Sequence, residues 1–135
     1  MSDENIVILE SLVEIDETGE EEVLTNDLFP LVDLTFTSHL DEQGLPKIGT
    51  FLKPGMIAIG KIAYSRAALY ERKPTDLEIH ALDRETIKSK FGHLWENRSV
   101  YVPEDVTGIV EKAEIIQLPS GKSKAIVAIR CTKPS

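Results

Sequence analysis

The sequence has 135 residues, enough for one domain with its own core, and its 41% hydrophobic and 28% charged residues are typical of a soluble protein. No apolar run is long enough to span a membrane, and the N-terminus lacks the basic and apolar regions of a secretion signal, so we expect a cytoplasmic protein without membrane contact. The single cysteine, Cys131, excludes an internal disulfide and a cysteine-based zinc cluster.

The net charge of −8 is concentrated at one end of the chain. Residues 1–22 contain nine acidic residues and no lysine or arginine, whereas the rest of the chain is close to neutral. Tight, sequence-independent binding of nucleic acid needs several basic side chains on phosphates. We therefore expect nucleic-acid contact to be weak or absent. The acidic segment is interpreted as a solvated surface, with an acidic docking tail as the alternative.

The first elements in chain order are a strand and an ambiguous segment. Residues 5–15 predict a strand, since they are rich in β-branched residues and polar residues enter from Glu10 on. Residues 16–19 close this strand. Residues 30–40 contain weak helix formers and are interpreted as a short helix or an irregular turn.

Two turns and a buried strand follow. The polar residues 41–44 end in Gly44, and Pro54 and Gly55 suit the two corners of a second turn. The segment between them is short and extended in character. Residues 56–64 form a strongly apolar run of β-favouring residues, which predicts a largely buried strand.

A helix is predicted over about residues 76–91. Pro74 ends the preceding segment, Thr75 opens a capping box, and Gly92 suits the C-terminal end of the helix. The last part of the chain predicts a β-hairpin, with strands over 106–118 and 123–131. A switch in the parity of its apolar residues near Lys112 predicts a β-bulge.

No metal or cofactor site is expected. The three histidines, His39, His80 and His93, do not have the spacing of zinc ligands, so we interpret them as solvent-facing or hydrogen-bonded residues. The sequence also has no nucleophile–base pair or glycine-rich phosphate loop. We therefore expect that the chain is not an enzyme by itself.

The stretch LDEQGLPKIGTFLKPGMIAIGKI, residues 40–62, resembles the segment of the bacterial DNA-directed RNA polymerase β subunit that leads into its flap domain. The matching residues keep the order and spacing of the family without a gap: Leu40, Asp41, Glu42, Gly44, Ile48, Gly49, Lys53, Pro54, Gly55, Ile57, Gly60 and Lys61. A looser match extends almost to the N-terminus through Gly19, Glu21, Glu22, Thr25, Asp27 and Leu28.

The resemblance implies one domain over residues 1–135 with a mainly β fold (α+β minor). The family's flap is a small barrel-like or sandwich domain, so we expect about six strands and one prominent tip helix over about 76–91. Residues 1–22 would form an acidic N-terminal strand and turn. We expect a diverged, free-standing relative, although a fragment of the β subunit, and hence a part of a DNA-directed RNA polymerase, is the alternative.

The predicted helix lines up with the flap-tip helix of the family, since Phe91 and Gly92 match its final Phe-Gly. In the family, apolar residues of this tip dock into region 4 of sigma factor and onto elongation regulators. The resemblance thus implies Ile87 and Phe91, four residues apart on one helix face, as partner-binding residues, with Lys88 and Lys90 as modulators.

The implied function is a non-catalytic interaction module in transcription. Its expected partner is a protein: sigma factor, a transcription regulator or the RNA polymerase core. The alternative is an orphan protein-interaction or homodimerisation domain that reuses the flap fold outside transcription, for example through open strand edges. An apolar tip exposed to solvent would favour the first function, and a tip packed on the chain's own sheet would favour the second.

Overall fold

Nine β-strands and one 3-10 turn make up the described part of the chain, which in this computed structural model comprises residues 5–13, 21–28, 32–64 and 95–131. The 3-10 turn spans Leu34–Phe36. The strands are β1 (Asn5–Val13), β2 (Glu21–Leu24), β3 (Phe51–Leu52), β4 (Ile57–Ile59), β5 (Lys61–Tyr64), β6 (Trp95–Asn97), β7 (Val100–Tyr101), β8 (Gly108–Gln117) and β9 (Ser123–Cys131). The prediction of a mainly β fold is confirmed.

The largest sheet is antiparallel and has the strand order β1-β9-β8-β3. Its centre is the predicted hairpin of β8 and β9. Val110 pairs with Ile129 and Lys112 pairs with Ala128, so Glu111 is the extra residue of a β-bulge. The parity switch that predicted this bulge arises because one additional residue reverses the side-chain alternation.

Two smaller antiparallel sheets complete the described fold, with the orders β2-β5-β6 and β4-β7. The apolar run over 56–64 was predicted as one strand, but it forms two, β4 and β5, on either side of Gly60. Because β4 pairs with β7 while β5 pairs with β2 and β6, the run serves two sheets. This division, together with β2 and β6, which lie where no strand was predicted, gives nine strands in the described residues where about six were expected.

The core lies between the inner face of the four-stranded sheet and strand β4. It contains fully buried side chains such as Leu52, Ile59, Val110, Val127 and Ile129. The strands curl around it as a half-barrel. Each buried aliphatic side chain of this size stabilises the fold by about 1.5–3 kcal/mol relative to an exposed one.

The predicted turns are confirmed. Gly44 and Gly55 have φ values of +77° and +86°, in the left-handed region that favours glycine. Residues 34–36 form a single 3-10 turn, in agreement with the short helix or irregular turn predicted over 30–40. The predicted tip helix, 76–91, lies outside the described residues, as do its partner-binding residues. No helix of the described ranges is long and apolar enough to cross a membrane.

Candidate functional site

The four predicted partner-binding residues, Ile87, Lys88, Lys90 and Phe91, lie in the stretch 65–94, which is outside the described residues. The two ends of that stretch are described. Strand β5 ends at Tyr64, strand β6 begins at Trp95, and these two residues are paired antiparallel neighbours. Residues 65–94 therefore leave and return at adjacent positions of the β2-β5-β6 sheet. We call this pair of strand ends the base of the 65–94 segment.

An ion cluster joins the strands of the same sheet, and its two cations, Lys61 and Arg98, each lie three residues along the chain from the base. The carboxylate of Glu22 on β2 accepts a hydrogen bond from Nζ of Lys61 on β5 at 3.2 Å and from Nη1 of Arg98, just after β6, at 2.9 Å. Lys61 is only 8% exposed, and its Nζ also donates to the carbonyl oxygen of Leu12 on β1 at 2.9 Å. One carboxylate thus holds together the three strands of the sheet from which residues 65–94 extend.

The surroundings of Arg98 stabilise the charged form of its guanidinium group. Hydrogen bonds to Glu22 and then to Glu96 raise the pKa of its guanidinium above the ordinary value. Its backbone N–H donates to the carbonyl oxygen of Lys61 at 2.9 Å, and Ser99 Oγ accepts from the N–H of Lys61 at 3.0 Å. Removing either cation would leave the buried carboxylate of Glu22 with one ion pair instead of two, which destabilises the fold because a buried charge needs compensation. The cluster is a structural clamp on the base.

A second structural feature is a close approach of three backbone segments, at Thr25, Gly44 and Gly60. The N–H of Thr25 donates to the carbonyl oxygen of Gly60 at 3.0 Å, and the N–H of Gly60 donates to that of Gly44 at 2.8 Å. A Cβ atom at Gly60 would lie 2.2 Å from the carbonyl oxygen of Thr25, and one at Gly44 would lie 2.4 Å from that of Gly60. Only glycine fits at these two positions. We call this contact the glycine junction.

The neighbouring turn is built by Asp41. One of its carboxylate oxygens, Oδ1, accepts hydrogen bonds from the backbone N–H groups of Gln43 at 2.8 Å and Leu45 at 3.1 Å. Its own N–H donates to the carbonyl oxygen of Leu45 at 2.8 Å. Asp41, Gly44, Gly60 and Lys61 all belong to the stretch that carries the resemblance, and each has a structural role.

A groove of about 590 Å³ lies beside β4 and β7. The exposed rings of Phe36 and Tyr101 flank it, and Met56 and Ile57 contribute to its apolar lining. His39, also in the lining, donates from Nε2 to the carbonyl oxygen of Ile57 at 2.7 Å. The interpretation of His39 as a hydrogen-bonded residue is confirmed. The groove offers space for an apolar side chain.

The residues that line this groove were not predicted from the sequence, because they come from three separated segments: 32–39, 54–57 and 97–101. The one available signal was Phe36, an aromatic residue in a polar and irregular stretch. Within the described ranges, no group of three or more histidine, cysteine or acidic residues is arranged to hold a metal ion.

The sequence model of one protein family, RNA polymerase Rpb2, domain 6, matches residues 4–134. The chain belongs to this family. The match covers nearly the whole chain, so it includes the glycine junction, the ion cluster, the groove and the 65–94 segment.

A curated relative of this Rpb2 domain 6 protein is the DNA-directed RNA polymerase subunit beta C-terminal section of Pleurastrum terricola. The two are 36% identical over 85 residues, which cover 61% of this chain and 9% of the relative. The chain thus corresponds to a small part of that protein. The predicted relationship to the RNA polymerase β subunit is confirmed.

Proposed function

We propose that this Rpb2 domain 6 protein is a flap-like module of bacterial type that acts in transcription through protein contacts. The observation that supports this most strongly is the pairing of Tyr64 with Trp95, which anchors both ends of residues 65–94 on one sheet. The segment that leads into an inserted tip in the RNA polymerase β subunit has the same sequence pattern. Membership in the Rpb2 domain 6 family supports the relationship at the level of the subunit.

The predicted tip helix, 76–91, is the proposed contact surface. Its two apolar residues Ile87 and Phe91 would insert into a groove of the partner, as an amphipathic helix does in helix-in-groove recognition. Lys88 and Lys90 would adjust the affinity. The proposed partner is sigma factor, an elongation regulator or the polymerase core.

The clamped base fits this role. A helix that binds a partner transmits the docking geometry to the rest of the molecule only if its attachment is rigid. Glu22, Lys61 and Arg98 supply such an attachment, because they link β2, β5 and the residue that follows β6 by bonds of 2.9–3.2 Å. We expect the chain to contribute no catalytic residue, and to occur where a bacterial polymerase works, in the cytoplasm.

The proposal is tested by binding of the full chain to purified sigma factor region 4 and to core polymerase of the source organism, measured by biolayer interferometry. The double variant Ile87→Ser, Phe91→Ser should weaken binding at least about tenfold, since each buried apolar side chain contributes more than 1 kcal/mol. The matched control is Leu82→Ser, because residue 82 is about 140° around a helix from residue 87.

The control should bind as the wild type does. If the double variant and the control bind equally well to a partner, the tip is not the contact surface. If neither sigma factor nor core polymerase binds the wild type, the proposed function is wrong.

A further inference from the structure

Strand β1 lies at the edge of the four-stranded sheet, and the side of β1 that faces away from β9 is here called the open edge. β1 pairs with β9 over its whole length, Asn5–Val13, in a regular register. Within the described residues, no strand pairs with β1 on the open edge. Two side chains of the strand, Ile6 and Ile8, are more than half exposed.

The neighbouring hairpin determines which backbone groups of β1 point to the open edge. The N–H of Leu118 donates to the carbonyl oxygen of Lys122 at 2.8 Å, so Lys122 directs its backbone groups toward β8. Successive residues of a strand direct these groups to opposite sides, so the odd-numbered residues of β9 face β1. Their partners on β1 are odd-numbered as well, for example Leu9 opposite Val127. The groups that point to the open edge therefore belong to the even-numbered residues: Ile6, Ile8, Glu10 and Leu12.

A hydrogen bond from outside the sheet supports this assignment. The carbonyl oxygen of Leu12 accepts from Nζ of Lys61 at 2.9 Å, and Lys61 belongs to β5 in another sheet. The N–H and carbonyl groups of Ile6, Ile8 and Glu10 have no hydrogen-bond partner among the described residues. The unpaired part of the open edge thus ends before Leu12 and is centred on Ile8.

The open edge also lacks the usual protection against strand pairing. Proteins protect such edges with proline, lysine or a β-bulge, and β1 has none of these. Its one charged residue is Glu10, whose carboxylate lies 2.8 Å from Nζ of Lys124. Unpaired backbone groups on a regular and mostly apolar strand are a template for a further strand.

The open edge is complementary to itself. A two-fold axis through Ile8 places two β1 strands antiparallel, with Ile8 opposite Ile8 and Ile6 opposite Glu10 of the second copy. Each unpaired residue then belongs to a hydrogen-bonded pair that exchanges two backbone bonds. On the other face of the sheet Val7 lies opposite Leu9 of the second copy. Both are half-buried apolar residues that pack against the core, so the pairing would extend the core across the axis.

Charge and hydrogen bonding favour this register over its neighbours. An axis through Glu10 would place two carboxylates opposite each other, which is destabilising. An axis through Leu9 would pair Ile6 with Leu12, whose carbonyl oxygen already accepts from Lys61. With the axis at Ile8, Glu10 faces an apolar side chain and keeps its ion pair with Lys124. A second copy thus satisfies the backbone groups, the apolar side chains and the charge of β1 together.

We propose that the chain forms a homodimer in which the open edges of two β1 strands pair antiparallel about Ile8. The two four-stranded sheets would become one continuous sheet. Each copy carries a net charge of −8, so the copies repel each other and the dimer should become tighter as salt is added. The contact involves none of residues 65–94, so this proposal does not rest on the function proposed above.

The test is sedimentation equilibrium of the full chain up to millimolar concentration at low and high salt, combined with amide hydrogen exchange followed by NMR. We expect a monomer–dimer equilibrium that shifts toward the dimer as salt is added. In the dimer the amide hydrogens of Ile6, Ile8 and Glu10 should exchange slowly, and dilution to the monomer should restore fast exchange.

Charge substitutions at the axis provide the second measurement. Ile8→Lys and Ile8→Glu should each raise the dissociation constant of the dimer at least about tenfold, because like charges then lie opposite each other. A mixture of the two variants should dimerise again, since opposite charges face each other. Ile109→Lys is the matched control, because Ile109 is a similarly exposed isoleucine on the same face of the sheet, two strands from the open edge. That variant should dimerise as the wild type does.

Several results would overturn the proposal. A wild-type chain that stays monomeric at millimolar concentration and high salt would do so, as would a dimer in which the three amides exchange fast. Slow exchange of these amides in the monomer would assign the open edge to another part of the same chain. Dimerisation that is lost in Ile109→Lys and kept in Ile8→Lys would assign the contact to the face of the sheet. The wild-type measurements decide the question even if a variant does not fold.

Discussion

Substitution of Gly60 by alanine should destabilise the fold severely, although it adds one methyl group. The added Cβ would lie 2.2 Å from the carbonyl oxygen of Thr25, and the two backbones must separate by about 0.8 Å to reach the 3.0 Å lower limit of real Cβ contacts. That movement strains two backbone hydrogen bonds, from Thr25 to Gly60 and from Gly60 to Gly44. Each is worth about 1 kcal/mol, and overpacking adds about 1–3 kcal/mol.

The expected loss is therefore about 3–5 kcal/mol, a large share of the stability of a typical domain. For a domain of this size it corresponds to a fall in Tm of about 10–20 °C, measured by circular dichroism during heating. Gly49→Ala is the matched control, because its Cβ meets nothing within 4 Å although its φ is +94°. That variant should lose only the conformational term of about 1–2 kcal/mol. Equal shifts in Tm for the two variants would refute the steric explanation.

Two further predictions concern the ion cluster at the base of the 65–94 segment. Lys61→Met should lower the free energy of unfolding, measured in urea, by about 3 kcal/mol, because it leaves buried Glu22 with one cation fewer. The control Lys112→Met removes an exposed ion pair and should cost less than about 1 kcal/mol. Equal losses for the two variants would contradict this explanation. The hydrogen bond to Glu22 raises the pKa of Arg98, so the stabilisation by its charge is fully present below the ordinary pKa and is lost only as pH rises through the raised one. The destabilisation by Arg98→Met should thus be the same at neutral and mildly alkaline pH, and a loss that shrinks as pH rises would show that the guanidinium titrates there.

Local features of this fold could be predicted from the sequence. The turns at Gly44 and Gly55 follow from residue chemistry that acts over four residues, and both glycines have positive φ. The bulge at Glu111 was predictable because an extra residue leaves a visible change in the alternation of apolar side chains. These signals depend on neighbours in the chain, so one sequence is enough to reveal them.

Features that depend on distant parts of the chain were not predictable. Gly60 is a visible irregularity in the apolar run over 56–64, but the sequence does not show that the run divides there between two sheets, because the division results from contacts with Thr25 and Gly44. The ion cluster joins Glu22, Lys61 and Arg98, whose positions in the sequence do not indicate that they meet.

The residues that carry the resemblance to the RNA polymerase β subunit are informative about fold and not about the partner. Gly44 and Gly60 are required by the close approach of backbones, Asp41 by its turn, and Lys61 by the carboxylate of Glu22. A relative could keep all of them and bind a different protein. In the function proposed here, the partner would be selected by other side chains, those of Ile87, Lys88, Lys90 and Phe91. Under that proposal, substitution of these four residues should weaken partner binding, whereas substitutions at the glycine junction should lower the stability of the fold.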